Sequence, residues 1–291
     1  MAHKEDLRRP AVAGTFYPAS RPELVRLIEE SYFSPIGPGA LPPATPEADQ
    51  GPLGLVCPHA GFVYSGPVAA HAYRALAGGP RPERVIILGP NHYGLGSSLV
   101  APAPHRRWET PLGQAALDRD FIQAFLAGCP LAQEEELPHL QEHSIEVQVP
   151  FLQHLYGADL RLVPIAMTGQ DLRTSQEVGH VLARLARGSN SVLIASTDFT
   201  HYEPMAVAYE QDRHALEAIA ALDAAALLGA VQRHGITMCG PGPAMAVLTA
   251  CRDLGATEAR ILRYATSGDT SGDPDRVVGY GAAAAWGPRR S

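Results

Sequence analysis

Short apolar runs alternate with amphipathic stretches along most of this chain, and that alternation is what most limits its fold. The runs "LGLVC", "RVIILGP", "SSLVAP", "LRLVPIAM", "SVLIAS", "ARILRYAT" and "VVGYGAAAAW" read as strands. "SGPVAAHAYRAL", "LDRDFIQAFLAG", "EHSIEVQVPFLQHLYG" and "LRTSQEVGHVLARLAR" read as helices, with more from about Tyr209 to Leu254. Strands separated by helices need crossover connections. The pattern therefore predicts an α/β fold, a mostly parallel central sheet with helices on both faces. An N-terminal arm, residues 1–20, precedes a helix capped near Ser20. Residues 35–52 are crowded with Pro, Gly and Ala and read as a loop without a core of its own. No polar linker or internal repeat divides the chain, so a single domain over 1–291 is expected.

Charge narrows the function. Against 30 acidic residues stand 23 basic ones, a net charge of −7 with no basic stripe, which argues against nucleic acid or a membrane surface as partner. Gly and Pro interrupt the apolar runs before any could span a bilayer, and "MAHKEDLRRP" has no apolar signal core. A cytoplasmic location is the expectation. The four cysteines form no C-x-x-C pair, so neither a disulfide framework nor a zinc knuckle is expected.

Three strands end alike: "GLVCPH" at His59, "RVIILGPNH" at His92, and "SVLIASTDFTH" at Asp198 and His201. Parallel sheets present ligand crevices at the carboxyl ends of their strands. His59 and His92 stand 33 residues apart, about one βαβ unit. With their strands as neighbours, roughly 4.8 Å would separate the backbones. Metal–nitrogen bonds of about 2.0–2.1 Å would then be open to both rings. One such histidine reads as a group that hydrogen-bonds a loop; three at equivalent ends read as a site.

A further donor stands in "HGITMCGPGPAMAVL", where Cys239 precedes a helix. A helix N-terminus lowers a thiol's pKa, yet a lone cysteine is also commonly a small buried hydrophobe. Cys57, in a strand body, reads as structural. "QEHSIEVQVPFLQHLYG" brings Glu142, His143 and Glu146, with His143 and Glu146 three apart on one helix face. His143 is expected to face substrate or to support the ligands. Phe62, Tyr64, Tyr93 and Tyr202 are expected to rim the pocket, stacking on a small-molecule or peptide substrate. "YATSGD" offers Ser267 and Asp269, although such loops are commonly plain turns. The other histidines read as surface or core residues. A P-loop, a G-x-G-x-x-G turn and a G-x-S-x-G elbow are all missing, which removes the main support for nucleotide binding and serine hydrolysis.

Seven blocks carry a family resemblance: "RRPAVAGTFYP", "PHAGFVYSG", "LGPNH", "EHSIEVQVPFL", "STDFTHY", "MCGPGP" and "YATSGD…VVGYGAAAAW". In this order, from about Arg8 to Trp286, they resemble the MEMO family, whose prokaryotic members are called AmmeMemoRadiSam system protein B. The resemblance implies a fold like the catalytic subunit of the LigB-type (class III) extradiol dioxygenases, which are non-heme Fe(II) enzymes. It implies a metal at His59, His92 and Cys239, with His201 as acid/base group and Asp198 beside it. Those dioxygenases have a carboxylate where Cys239 stands, and a thiolate suits copper, zinc or thiolate-tolerant iron. The implied cofactor is thus Fe(II) first, with copper or zinc as alternatives. The implied partners are a radical SAM protein and an AMMECR-type protein.

Two functions follow as expectations. One is a dioxygenase-like oxidoreductase doing redox or oxygen chemistry on a small molecule. The other is a catalytically silent module that holds a peptide or protein in the same pocket. Zinc hydrolysis, a third reading, lacks a general-base glutamate on a ligand helix.

Overall fold

The structure, a computed structural model, describes residues 6–157 and 159–288. The first five residues of the arm, His3 among them, lie outside that range. In chain order the first elements are β1 (Leu7–Arg8), α1 (Arg21–Phe33), β2 (Gly54–Cys57), α2 (Phe62–Ala77), β3 (Arg84–Pro90), β4 (Val100–Pro102), β5 (Arg107–Thr110) and β6 (Gly113–Leu117). Then come α3 (Arg119–Gly128), α4 (Leu137–Leu140), α5 (Gln148–Tyr156), β7 (Arg161–Met167), α6 (Leu172–Ala186), β8 (Ser191–Ser196) and β9 (His201–Glu203). The last are α7 (Met205–Ala220), α8 (Ala224–His234), α9 (Pro241–Asp253), β10 (Glu258–Thr266), α10 (Ser267–Ser271) and β11 (Val277–Trp286).

All the strands join one sheet, in the order β1-β5-β6-β7-β3-β8-β2-β11-β10, with β4 on β7 and β9 on β11. From β6 to β2 every pairing is parallel, and antiparallel strands complete both flanks. The central strands carry unbroken apolar runs because both faces are covered, as β8's six buried residues show. The crossover from β2 to β3 runs one way across the sheet and that from β7 to β8 runs the other. Right-handed connections then set α2 and α6 on opposite faces. Helix α2 packs with α1 and α5, and α6 packs with α9. Helix α9 approaches so closely that a Cβ on Gly54 would lie 2.4 Å from Cys251 Sγ, so β2 opens with glycine.

One condition is not met and two local expectations change. β2 and β3 are not neighbours, because β8 inserts between them. The hairpin β5–β6 appears where no strand was expected. Its Trp108 and Ala115 are opposed and buried, but the runs are too short and polar to show a period. Residues 141–147 form turns, not the first half of α5. Ser20 is the residue before α1, although its side chain makes no capping bond. The Pro-rich stretch is a loop as expected. Among the described residues, no helix is long and apolar enough to cross a membrane.

Candidate metal centre

His59, His92, Asp198 and His201 stand just beyond β2, β3 and β8, on the carboxyl edge of the sheet. With β8 between the two histidine strands, it is the loops after them that bring the rings together, at 5.1 Å between centroids. Residues 141–147 add His143, 4.6 Å from His92 and 5.3 Å from His59. The turn before α9 adds Cys239, whose Sγ lies 3.2 Å from His59 Nε2.

Hydrogen bonds assign the tautomers of both strand-end histidines. Ser196 has one hydroxyl proton, which it donates to the Ser144 carbonyl at 2.5 Å. Its oxygen accepts from Gln148 Nε2 at 2.6 Å, and so also accepts from His59 Nδ1 at 3.0 Å. Gln148 is itself fixed, accepting from the Tyr73 hydroxyl and donating to the Pro58 carbonyl. His59 therefore carries its proton on Nδ1 and turns the Nε2 lone pair toward Cys239. Burial, then the neighbouring His143, His92 and His201, push its pKa well down, which keeps it neutral.

His92 is held in a matching orientation by Glu142. Its Nδ1 lies 2.9 Å from Glu142 Oε1, and its backbone N–H donates to Oε2 at 2.7 Å. The Ser144 amide also donates to Oε1. Burial alone would raise Glu142, but His92 and the Ser144 amide bring it down to about 2. An ionised carboxylate only accepts, so His92 donates from Nδ1 and leaves Nε2 free to ligate.

The ligating atoms of His59, His92 and Cys239 all lie within 4.8 Å of one another. A tetrahedral ion with nitrogen at about 2.0–2.1 Å and sulfur at about 2.3 Å keeps its donors about 3.3–3.6 Å apart, so small side-chain adjustments close the set. Two imidazoles, each held by a partner on its far nitrogen, and one thiol fit a transition metal. For Cys239 the two readings left open by the sequence are resolved toward burial. Part of the residue meets solvent, yet burial of the thiol and the Asp198 carboxylate push its pKa up, outweighing the helix end. Ligation would have to displace that proton. The Asp198 amide donates to Sγ at 3.2 Å, tying the turn after β8 to Cys239.

Asp198 accepts from the His59 amide at 2.8 Å, and burial raises its pKa to about 7. His201 directs Nδ1 to the Thr237 carbonyl at 2.9 Å, and burial lowers it. His143 is lowered to about 4 by burial, and its ring packs on Phe16 at 4.5 Å. The aromatic residues divide. Tyr64, Tyr93 and Tyr202 are exposed around this edge, whereas Phe62 is buried against Tyr17 and Phe151 and is no part of a rim. Tyr202 sits at φ 64°, a left-handed conformation rare for a bulky side chain, with Arg276 over its ring at 5.6 Å. Ser267 and Asp269 lie in the short helix α10: Asp269 caps it through Thr266, and Ser267 accepts from the Val278 amide.

Glu146 does not share a helix face with His143. It is buried as the anchor of the N-terminal arm, accepting from Arg8 at 2.7 Å, from the Ala11 and Val12 amides, and from the Tyr17 hydroxyl at 2.5 Å. Arg8 also donates to the His139 and Glu142 carbonyls and lies over Trp108 at 4.2 Å. This clamp carries Phe16 to His143. The supporting roles of Ser196, Gln148, Glu142 and Glu146 have no signature in spacing, since each partner stands about 50 to 140 residues away.

Fold and site together define an α/β protein with a two-histidine, one-cysteine centre at the carboxyl edge of its sheet. The family model described as "Memo-like protein" matches residues 8–284. The chain belongs to that family. A MEMO1 family protein of Methanopyrus kandleri is 49% identical over 280 residues, covering 94% of this chain and 97% of the relative. Those of Ignicoccus hospitalis and Methanocaldococcus jannaschii are 45% and 44% identical, each covering 95% of this chain and 97% and 98% of the relative. Among solved structures, an uncharacterised protein of Escherichia coli K12 is similar in fold, with a TM-score of 0.52 at 14% identity. That match covers 79% of this chain and 98% of the other.

Proposed function

We propose that this chain is a metal-dependent redox protein in which His59 Nε2, His92 Nε2 and Cys239 Sγ hold iron(II) or copper, with zinc as the redox-silent alternative. What supports the reading is the pair of orientations: both imidazoles are held by groups on Nδ1, His59 Nε2 lies 3.2 Å from the Cys239 thiol, and the three candidate donors cluster within 4.8 Å. A histidine that merely hydrogen-bonded a loop would need no such arrangement. Kinship to the class III extradiol dioxygenases and action alongside a radical SAM protein and an AMMECR-type protein belong to the same proposal. A bound ion would supply Lewis acidity and, for iron or copper, a one-electron couple.

The chain's own groups handle protons and access. Asp198, raised to about 7, exchanges a proton near neutral pH without a large driving force. His201 keeps its Nδ1 on Thr237 and offers Nε2 for a second transfer. His143, held near 4, stays neutral at pH 7 and acts as a hydrogen-bonding group. Tyr64, Tyr93 and Tyr202 flank the approach for a small-molecule substrate. The test is anaerobic reconstitution with Fe(II), Cu(I) or Co(II), beside Cys239→Ser. Stoichiometric binding, a Co(II)–thiolate absorption band, and loss of that band in the variant are expected. Absence of stoichiometric binding by any of the three ions would sink the proposal, and so would an unchanged band in Cys239→Ser.

A further inference from the structure

Large apolar side chains are exposed at twelve described positions, and all but Phe33 and Leu41 fall on the sheet's carboxyl edge. The placement follows from topology. Tyr64 opens α2 directly after β2, Tyr93 and Leu95 follow β3, and Tyr202 follows β8. Leu137 and Leu140, 54% and 44% exposed, make the outer side of α4. The loop after β3 packs on that helix so tightly that a Cβ on Gly96 would meet Pro138 at 2.8 Å. Exposed apolar residues scattered singly need no explanation, but a patch gathered on one edge marks a contact surface.

Charge identifies what covers it. The segments that carry these side chains hold Glu135, Glu136, Glu203 and Glu210 and no Lys or Arg, and the loop beside Tyr202 and Tyr209 adds Asp269, Asp273 and Asp275 against Arg276. Nucleic acid and an anionic membrane would meet repulsion at this face. A second copy would set two acidic rims against each other. We propose that this edge docks a protein partner through a segment that is apolar in the middle and rich in Lys or Arg around it. The docking does not depend on the metal, so it stands or falls separately from the redox reading.

The probe is a fluorescein-labelled amphipathic helix of Leu and Lys, titrated with the full chain and followed by anisotropy. Its Leu and Glu counterpart is the control. Binding of the Lys helix alone is expected, weakening steeply with salt. Leu137→Ser with Leu140→Ser should weaken it by about tenfold or more, since each leucine loses its apolar burial. Asp273→Asn with Asp275→Asn should weaken it severalfold and flatten the salt dependence. Phe33→Ser with Leu41→Ser should leave it unchanged. Absence of binding, equal binding of the Glu helix, or equal loss in the Phe33/Leu41 variant would overturn the proposal. So would sedimentation showing that the wild-type chain dimerises and the Leu137/Leu140 variant does not.

Discussion

Replacing Glu142 by Gln removes one charge and almost no volume, and the structure fixes what it should do. Three N–H groups converge on the two carboxylate oxygens: the His92 amide on Oε2, and His92 Nδ1 with the Ser144 amide on Oε1. A glutamine offers one oxygen and one NH2, so either orientation sets donor against donor. In the better orientation the His92 amide loses its acceptor, and the other two bonds lose their charge assistance. In the worse one, the NH2 forces His92 to accept at Nδ1, placing the proton on Nε2 and blocking ligation. Loss of a group that orients a metal-bound histidine costs about 10–100-fold in affinity, or ~1.4–2.7 kcal/mol. The assay is Co(II) affinity by competition with a chromophoric chelator, with far-UV circular dichroism to confirm the fold. An affinity within twofold of wild type would refute the tautomer argument, because His92 would then be free to ligate without its carboxylate.

Two further outcomes are expected. Glu146→Gln leaves Arg8 buried against a neutral amide and breaks the arm's anchor, so stability should fall by ~3–5 kcal/mol in urea unfolding; a loss below about 1 kcal/mol would show that the clamp is not holding the arm. Asp212, buried on α7 and accepting from Thr200 and Tyr264, is raised by burial from 3.8 to about 6. Its folded form favours the proton, so its stabilising contribution is complete below about pH 4 and is lost as pH rises through about 6. The stability of wild type relative to Asp212→Asn should therefore fall by up to ~3 kcal/mol between pH 4 and pH 7, and a gap that stays flat with pH would refute this.

The residues that gather at the carboxyl edge were legible because strand ends are. A continuous apolar run followed by "PH", "GPNH" or "TDFTH" says both that the strand is buried and where its carboxyl end lies, and parallel topology then gathers those ends. What lay beyond the pattern was anything set by strand order or loop path. Whether β8 sits beside β2 or β3 leaves no trace in either run, so the neighbourhood of the histidine strands stays a condition in the sequence and is decided only by strand order. "EHSIEVQVPFL" has helical spacing throughout. The bonds of Glu142 to His92 and of Glu146 to the arm hold residues 141–147 in turns instead, and α5 begins only at Gln148. For Cys239, the position before a helix shows in the sequence, whereas the degree of desolvation depends on packing from Asp198 and Thr197.

The insertion of β8 between the two histidine strands also sets the order of events during synthesis. His59 and Cys239 stand 180 residues apart, an interval on the order of 10–40 s of translation. His92 follows within that interval and β8 is complete before it ends, but the sulfur that would join the two imidazoles comes last. A nascent chain thus offers at most two loosely held imidazoles, a weak and unselective pair. The three-donor set comes into being only when α9 docks on the finished sheet. For the metal proposed above, choice would in this way be deferred to the completed protein, whatever ions the emerging segments meet first.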